Sequence, residues 1–323
     1  MPVWQVLRPS GVESRFEALH GSRLSPLVGR DEEIGLLLRR WQRAKAGAGQ
    51  VVLISGEPGL GKSRVVAEFA ERLQTLPHIR LRYFSSPHRQ DSALFPFIDQ
   101  LGRAAGFARD DLPAAKLEKL NVLLARAGPP EEDVALLADL LSLPASERHP
   151  LPNLSPQRKK EMILDALIRQ LEGLARQQAV VVVFEDAHWI DPTSRELLDL
   201  TVEHLRTLPV LLLVTFRPEF QPPWTGLPQV TMLTLNRLDR RDRTILVAQI
   251  SDKALPGEVV DQIVERTDGV PLFVEELTKT VLESGLLHAQ QDRYVLDRAR
   301  CRHWQSRPRC MIPSWRGSIA WIQ

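Results

Sequence analysis

The chain has 323 residues, of which 43% are hydrophobic and 25% charged, and 42 Lys plus Arg against 40 Asp plus Glu leave a net charge of +2. This is ordinary for a soluble globular protein of one large or two modest domains. Two cysteines make no disulfide framework, the opening MPVWQVLRPSG lacks the basic-then-apolar pattern of a signal peptide, and the longest purely apolar run, Ala179 to Phe184, is six residues, short of a membrane span, so a cytoplasmic soluble protein is expected.

In chain order, a helix is expected from Asp31, where Ile34, Leu37, Leu38 and Trp41 recur at helical spacing and Gly47 and Gly49 end it. A short buried strand, Val51 to Ser55, runs into the glycine-rich stretch Gly56 to Ser63. The next helix carries Val66, Phe69, Ala70 and Leu73 on one face, and Ile79 to Phe84 alternates as a second strand. From Ser92 to Gln177 the chain reads as mostly helical, with breaks at Pro113, Pro129–Pro130 and Pro150–Pro152.

Two fully apolar strands follow, Val180 to Phe184 and Val210 to Thr215. The helix between them opens with Asp191 as N-cap and Pro192 at the first helical position. Continuous apolar strands alternating with helices predict an α/β fold with a parallel sheet covered on both faces. From Asp239 to Leu287 the chain reads as helical, with no strand signal until Arg293 to Leu296.

GEPGLGKS is the sharpest motif: Gly56, then Glu57, Pro58, Gly59 and Leu60, then Gly61, Lys62 and Ser63. It matches the phosphate-binding loop pattern, with the required apolar strand before it and amphipathic helix after it. Glycines let successive N–H groups turn inward onto phosphate oxygens, and the following helix aims its positive end at the same place. Lys62 reaches the β- and γ-phosphates, and the Ser63 hydroxyl binds Mg²⁺. A chance match of the four fixed positions would arise in about one such chain in a hundred.

Such a loop needs a second strand ending in acid. Val180 to Phe184 followed by Glu185 and Asp186 supplies two carboxylates, one to support Mg²⁺ and one to orient or activate water. By position Glu185 falls to the metal and Asp186 to the water; by chemical type the assignment swaps. A strand ending in merely solvated acids is the plainer alternative. His188 beside Trp189 reads as a packed pair before a functional one, and Asp191 as a helix cap before a catalytic acid. Arg217 follows the next apolar strand, where an α/β sheet presents its ligands, and is expected to meet the γ-phosphate as a sensor or finger, the alternative being a solvated loop cation.

The order LVGRDEE (Leu27 to Glu33), GEPGLGKS, VVVVFEDAHWID (Val180 to Asp191), VTFRPEF (Val214 to Phe220) and DGVPLFVEEL (Asp268 to Leu277) resembles the STAND-type signal-transduction ATPases, relatives of the AAA and Orc1-like ATPases. The likeness is to the module that follows a class III adenylate/guanylate cyclase domain in bacteria, and to the module preceding helical repeats in large LuxR-type regulators. It implies Val28 and Gly29 near the adenine, Gly56 to Ser63 on the phosphates and Mg²⁺, Glu185 and Asp186 as the acidic motif, and Arg217 as phosphate sensor. Gly269 and Pro271 would belong to a helical lid, with Pro271 near the base. The resemblance also implies switching between a closed and an open, assembling form.

The expected division is therefore a linker remnant over 1–24, after a missing upstream domain, a P-loop ATPase core over 25–225, a small helical lid over 226–296 and an aberrant basic tail over 297–323. VWQVL and ESRFEAL, before the core, look like a join to a cyclase domain, but with 24 residues there no cyclase activity is expected of this chain. Residues 298–323 hold six arginines, both cysteines, three of the seven tryptophans and no acid, so the rest of the chain carries 36 cations against 40 acids, net −4. Cys301, Cys310 and His303 lack zinc spacing. Shifted back by one nucleotide, His303 to Trp315 can read close to the proline-rich link the resemblance leads one to expect after Leu296, so a disordered or frame-disrupted tail is favoured over a nucleic-acid patch.

The functional expectation is a cytoplasmic, ATP-binding and ATP-hydrolysing regulatory module using Mg²⁺. Protein partners or self-association are expected, with no membrane and no nucleic acid. The alternatives are a binding-only switch or non-functional remnant, and a nucleic-acid-associated ATPase.

Overall fold

The structure, a computed structural model, describes residues 26–144 and 154–297. The readings of 1–24 as a linker remnant, of the break at Pro150–Pro152 and of 298–323 as an aberrant tail lie outside the described residues. By contact the chain divides into two units, one formed by Glu32–Ser55 and Val66–Thr234 and one by Gly56–Val65 with the described parts of 1–31 and 235–323.

The first unit is built on a five-stranded sheet. Helix α1 (Asp31–Lys45) opens on acids and closes on Arg43 and Lys45, the charge order its dipole favours, and buries Ile34, Leu37, Trp41 and Ala44. Strand β1 (Gln50–Ser55), helix α2 (Lys62–Leu73), strand β2 (Ile79–Phe84) and helices α3 (Phe95–Ala104), α4 (Pro113–Ala125), α5 (Glu131–Leu140) and α6 (Pro156–Gln177) follow. Strand β3 (Val180–Glu185), helix α7 (Pro192–His204), strand β4 (Val210–Phe216) and strand β5 (Val230–Thr234) complete it.

The strand order is β2-β3-β4-β1-β5, and every pairing is parallel. The three inner strands are buried at every residue, as their continuous apolar sequences require, whereas the edge strands β2 and β5 are only partly covered. Asp191 caps α7 with Pro192 at its first position, as the sequence predicts. Tyr83, Phe97 and Phe184 stack against one another with centroids 4.5–6.1 Å apart. Beside them lies a cavity of about 30 Å³ lined by Leu81, Leu101, Ile168 and Leu197. Burial there pushes the Tyr83 phenol above its usual pKa.

The second unit holds helices α8 (Arg240–Ile250), α9 (Gly257–Arg266) and α10 (Pro271–Glu283) and a hairpin of β6 (Leu287–Gln290) with β7 (Arg293–Leu296). Leu246, Val247, Ile263 and Val274 form its core, with Val28 packed against it.

Two expectations need correction. Val230–Thr234, assigned to the lid by a boundary at 225, is the fifth strand, paired with β1. As an edge strand it lacks the continuous apolar run that marks its neighbours. Leu287–Gln290 is likewise a strand, exposed at all but its first residue. In addition, the phosphate loop groups by contact with the helical segment rather than with the sheet that precedes it.

Candidate nucleotide site

The phosphate loop leaves β1 directly after Ser55. Gly59 sits at φ +83°, and a Cβ there would lie 2.9 Å from Val270 Cγ1 and 3.2 Å from Leu272 Cβ. Only glycine accepts both the left-handed backbone and that close approach. Leu60 is buried, its N–H bonded to Glu57 O at 3.4 Å, while Pro58 is exposed at the outer bend. Gly61 closes the loop, its carbonyl accepting from Val65 N at 2.9 Å in the first turn of α2.

Lys62 is 9% exposed, and its Nζ donates to Gly56 O at 2.7 Å and to Glu57 O at 3.3 Å. The ammonium is thus folded back over the loop that would cradle phosphate. Ser63 follows in the same helical turn. Its hydroxyl is a hard oxygen donor of the kind Mg²⁺ takes alongside phosphate oxygens and water, so the chemistry of this residue fits that ion.

The expected lid motif packs on this loop. Pro271 is the first residue of α10, and Leu272 N donates to Gly59 O at 3.3 Å. Arg237 bridges outward, its guanidinium 3.0 Å from Glu57 Oε2 and also paired with Asp268. Hydrogen bonding to Glu57, helped by the charge of Asp268, raises the Arg237 pKa above its usual value. Gly29, at φ +65°, lies against α8, where a Cβ would collide with Asp242 Oδ2, and Arg30 donates to Asn236 O. Val28 is half-buried beside it.

At the carboxyl end of β3 the two acids diverge. Glu185 is buried, and Arg82 of β2 reaches its Oε1 with Nε at 2.9 Å and with a terminal nitrogen at 2.8 Å. Asp186 leaves the strand in the left-handed region, φ +58°, with its N–H on Thr215 Oγ1 at 3.0 Å and its side chain 41% exposed. His188 is packed, its ring centroid 4.2 Å from that of Trp189. Asp191 Oδ1 accepts from Ser194 N at 2.9 Å and from Leu94 N at 3.2 Å, so this residue is a buried cap. Arg217, just past β4, has its Cζ 4.9 Å from the Trp189 ring centroid.

Arg82 is the residue sequence reasoning missed. Its signal was present: IRLRYF places two arginines on one face of a strand beside the acid-ended strand, but the partner lies 103 residues away.

A parallel sheet with a glycine-rich phosphate loop after one strand and adjacent acids after another defines a P-loop nucleoside-triphosphatase fold. The chain belongs to the AAA ATPase domain family, whose profile matches residues 26–214. It is 33% identical over 286 residues to an uncharacterized protein of Rhizobium meliloti (strain 1021), covering 87% of this chain and 27% of that protein. It is 21% identical over 286 residues to adenylate cyclase type 10 of Rattus norvegicus, covering 82% of this chain and 17% of the relative. The chain therefore spans about a quarter or less of the length of these curated relatives. The Orc1 protein of Aeropyrum pernix, solved in complex with DNA, superposes with a TM-score of 0.52 at 14% identity, over 91% of this chain and 69% of that one. That likeness is one of fold alone. The expectation of no nucleic-acid partner draws no support from it. Among the described residues no helix is long and apolar enough to cross a membrane.

Proposed function

We propose that the chain is a cytoplasmic regulatory module that binds ATP with Mg²⁺ and hydrolyses it, acting through protein partners or self-association. The observation that carries this reading is the phosphate loop itself: a glycine-bent turn after a buried strand, with Lys62 folded over it and Ser63 at the head of the next helix, in a member of the AAA ATPase domain family. The adenylate cyclase type 10 relatives support a place beside a nucleotide cyclase within a longer regulator, in keeping with the STAND-type motif order.

The acids divide by environment. Glu185, clamped by Arg82, supports the metal from a fixed position; Asp186, with an exposed carboxylate at the strand end, orients the attacking water. Arg217 meets the γ-phosphate, and Val28, Gly29 and Pro271 border the base.

ATP binding and turnover test this. Lys62→Ala should lose ATP binding, and Asp186→Asn should keep ATP affinity within a few-fold while losing turnover about 10²-fold or more, the size of a general-base contribution. Turnover unchanged in Asp186→Asn removes that residue from the chemistry, and binding without turnover in the wild type leaves a binding-only switch.

A further inference from the structure

Trp189 has no part in the motif reading beyond being packed, yet its surroundings are unusually constrained. It closes a one-turn helix, Ala187–Trp189, by donating its N–H to Asp186 O at 2.9 Å. The turn is pinned on both sides. Asp186 N is bonded to buried Thr215 of β4, and Asp191, 2% exposed, ties the far end to Leu94 and Ser194. The His188 ring, whose side chain is 3% exposed, backs the indole. Over the indole stands the Arg217 guanidinium, with Cζ 4.9 Å from the ring centroid. Arg217 follows Phe216, the buried last residue of β4, so its stem starts from the sheet and its head meets the indole.

We propose that Trp189 is a positioning residue: its indole is a perch that holds the Arg217 guanidinium at the carboxyl edge of β3 and β4, ready for the terminal phosphate of ATP. This rests on the nucleotide reading above and adds to it the residue that makes Arg217 effective. The physical case is one of preorganisation. A free arginine gives up rotamer freedom when it captures phosphate, and a side chain already held over a ring gives up less. The indole is also the aromatic face that attracts a guanidinium most strongly, and it does so without cancelling the positive charge that phosphate must meet.

The test compares ATP with ADP affinity, because only ATP carries the phosphate at issue. In the full chain, Arg217→Ala should weaken ATP binding about tenfold and leave ADP binding unchanged, the size of a partly desolvated cation–π or charge-assisted contact. Trp189→Leu should reproduce most of that loss of ATP-over-ADP preference, while Trp189→Phe, which keeps a ring, should stay within about two- to threefold of wild type. The double variant Trp189→Leu with Arg217→Ala should be no worse than Arg217→Ala alone, since the perch has nothing left to hold.

Retained ADP affinity shows that each variant is folded. The inference is overturned if Trp189→Leu keeps the wild-type ATP-over-ADP ratio, if it weakens ATP and ADP equally, or if the two substitutions add. Absence of ATP binding by the wild type brings down the nucleotide reading and this inference with it, an outcome distinct from every pattern among the variants.

Discussion

The two units hold their charges in opposite ways. At β3, Arg82 and Glu185 form an ion pair whose side chains are 9% and 4% exposed. At the phosphate loop, Arg237 and Glu57 lie 3.0 Å apart with side chains 46% and 54% exposed. The distances are nearly equal, and the environments decide what each pair does. Out of water neither partner can be left alone, so the β3 pair locks the acid in one place. In water the loop pair is screened and weak, so Glu57 and Arg237 can part with little loss of stability. The β3 pair is thus a rigid fixture within its unit, and the Arg237–Glu57 pair a soft tether within the other.

This contrast can be broken most sharply at the buried end. Arg82→Met, which takes the guanidinium away from buried Glu185, should cost about 3–5 kcal/mol of stability in chemical denaturation. Arg82→Met combined with Glu185→Leu should recover most of that loss, because no uncompensated charge remains. A single variant as stable as the wild type would show that Glu185 does not depend on Arg82.

Gly59→Ala tests the backbone beneath the soft end. A left-handed residue at φ +83° with Val270 Cγ1 2.9 Å from the new methyl should lose about 1–2 kcal/mol from the backbone alone, and ATP affinity should fall with it. Unaltered ATP affinity would mean that the loop has room to relax. The smallest effect is expected at the exposed pair. Arg237→Ala should shift stability by less than about 1 kcal/mol, and a melting series should show that difference vanishing near about 1 M salt, where screening reaches to about 3 Å. A loss that persists in high salt would place Arg237 among the buried, structural charges after all.

Much of this arrangement is written in the sequence. Val180 to Phe184 and Val210 to Thr215 declare inner parallel strands because both of their faces must be apolar. GEPGLGKS declares its loop because three glycines, a lysine and a serine at that spacing between strand and helix have one common use. Asp191 with Pro192 declares a helix start because a cap acts on its own backbone three residues on. Val230–Thr234 and Leu287–Gln290 were not readable, since strands with an exposed face carry mixed sequences that resemble neighbouring turns and helix ends.

What the sequence by itself determined is thus the local chemistry: inner strands, capped helices, a phosphate loop and a pair of acids at a strand end, each set by interactions within a few residues. Only the tertiary structure decided which acid is clamped and which is exposed, that Arg82 is the clamp, that the loop packs on Val270 and Leu272, and that Arg217 rests on Trp189. Those outcomes depend on contacts between residues far apart in the chain, and burial, which sets the strength of every charge in the site, exists only once the chain has folded.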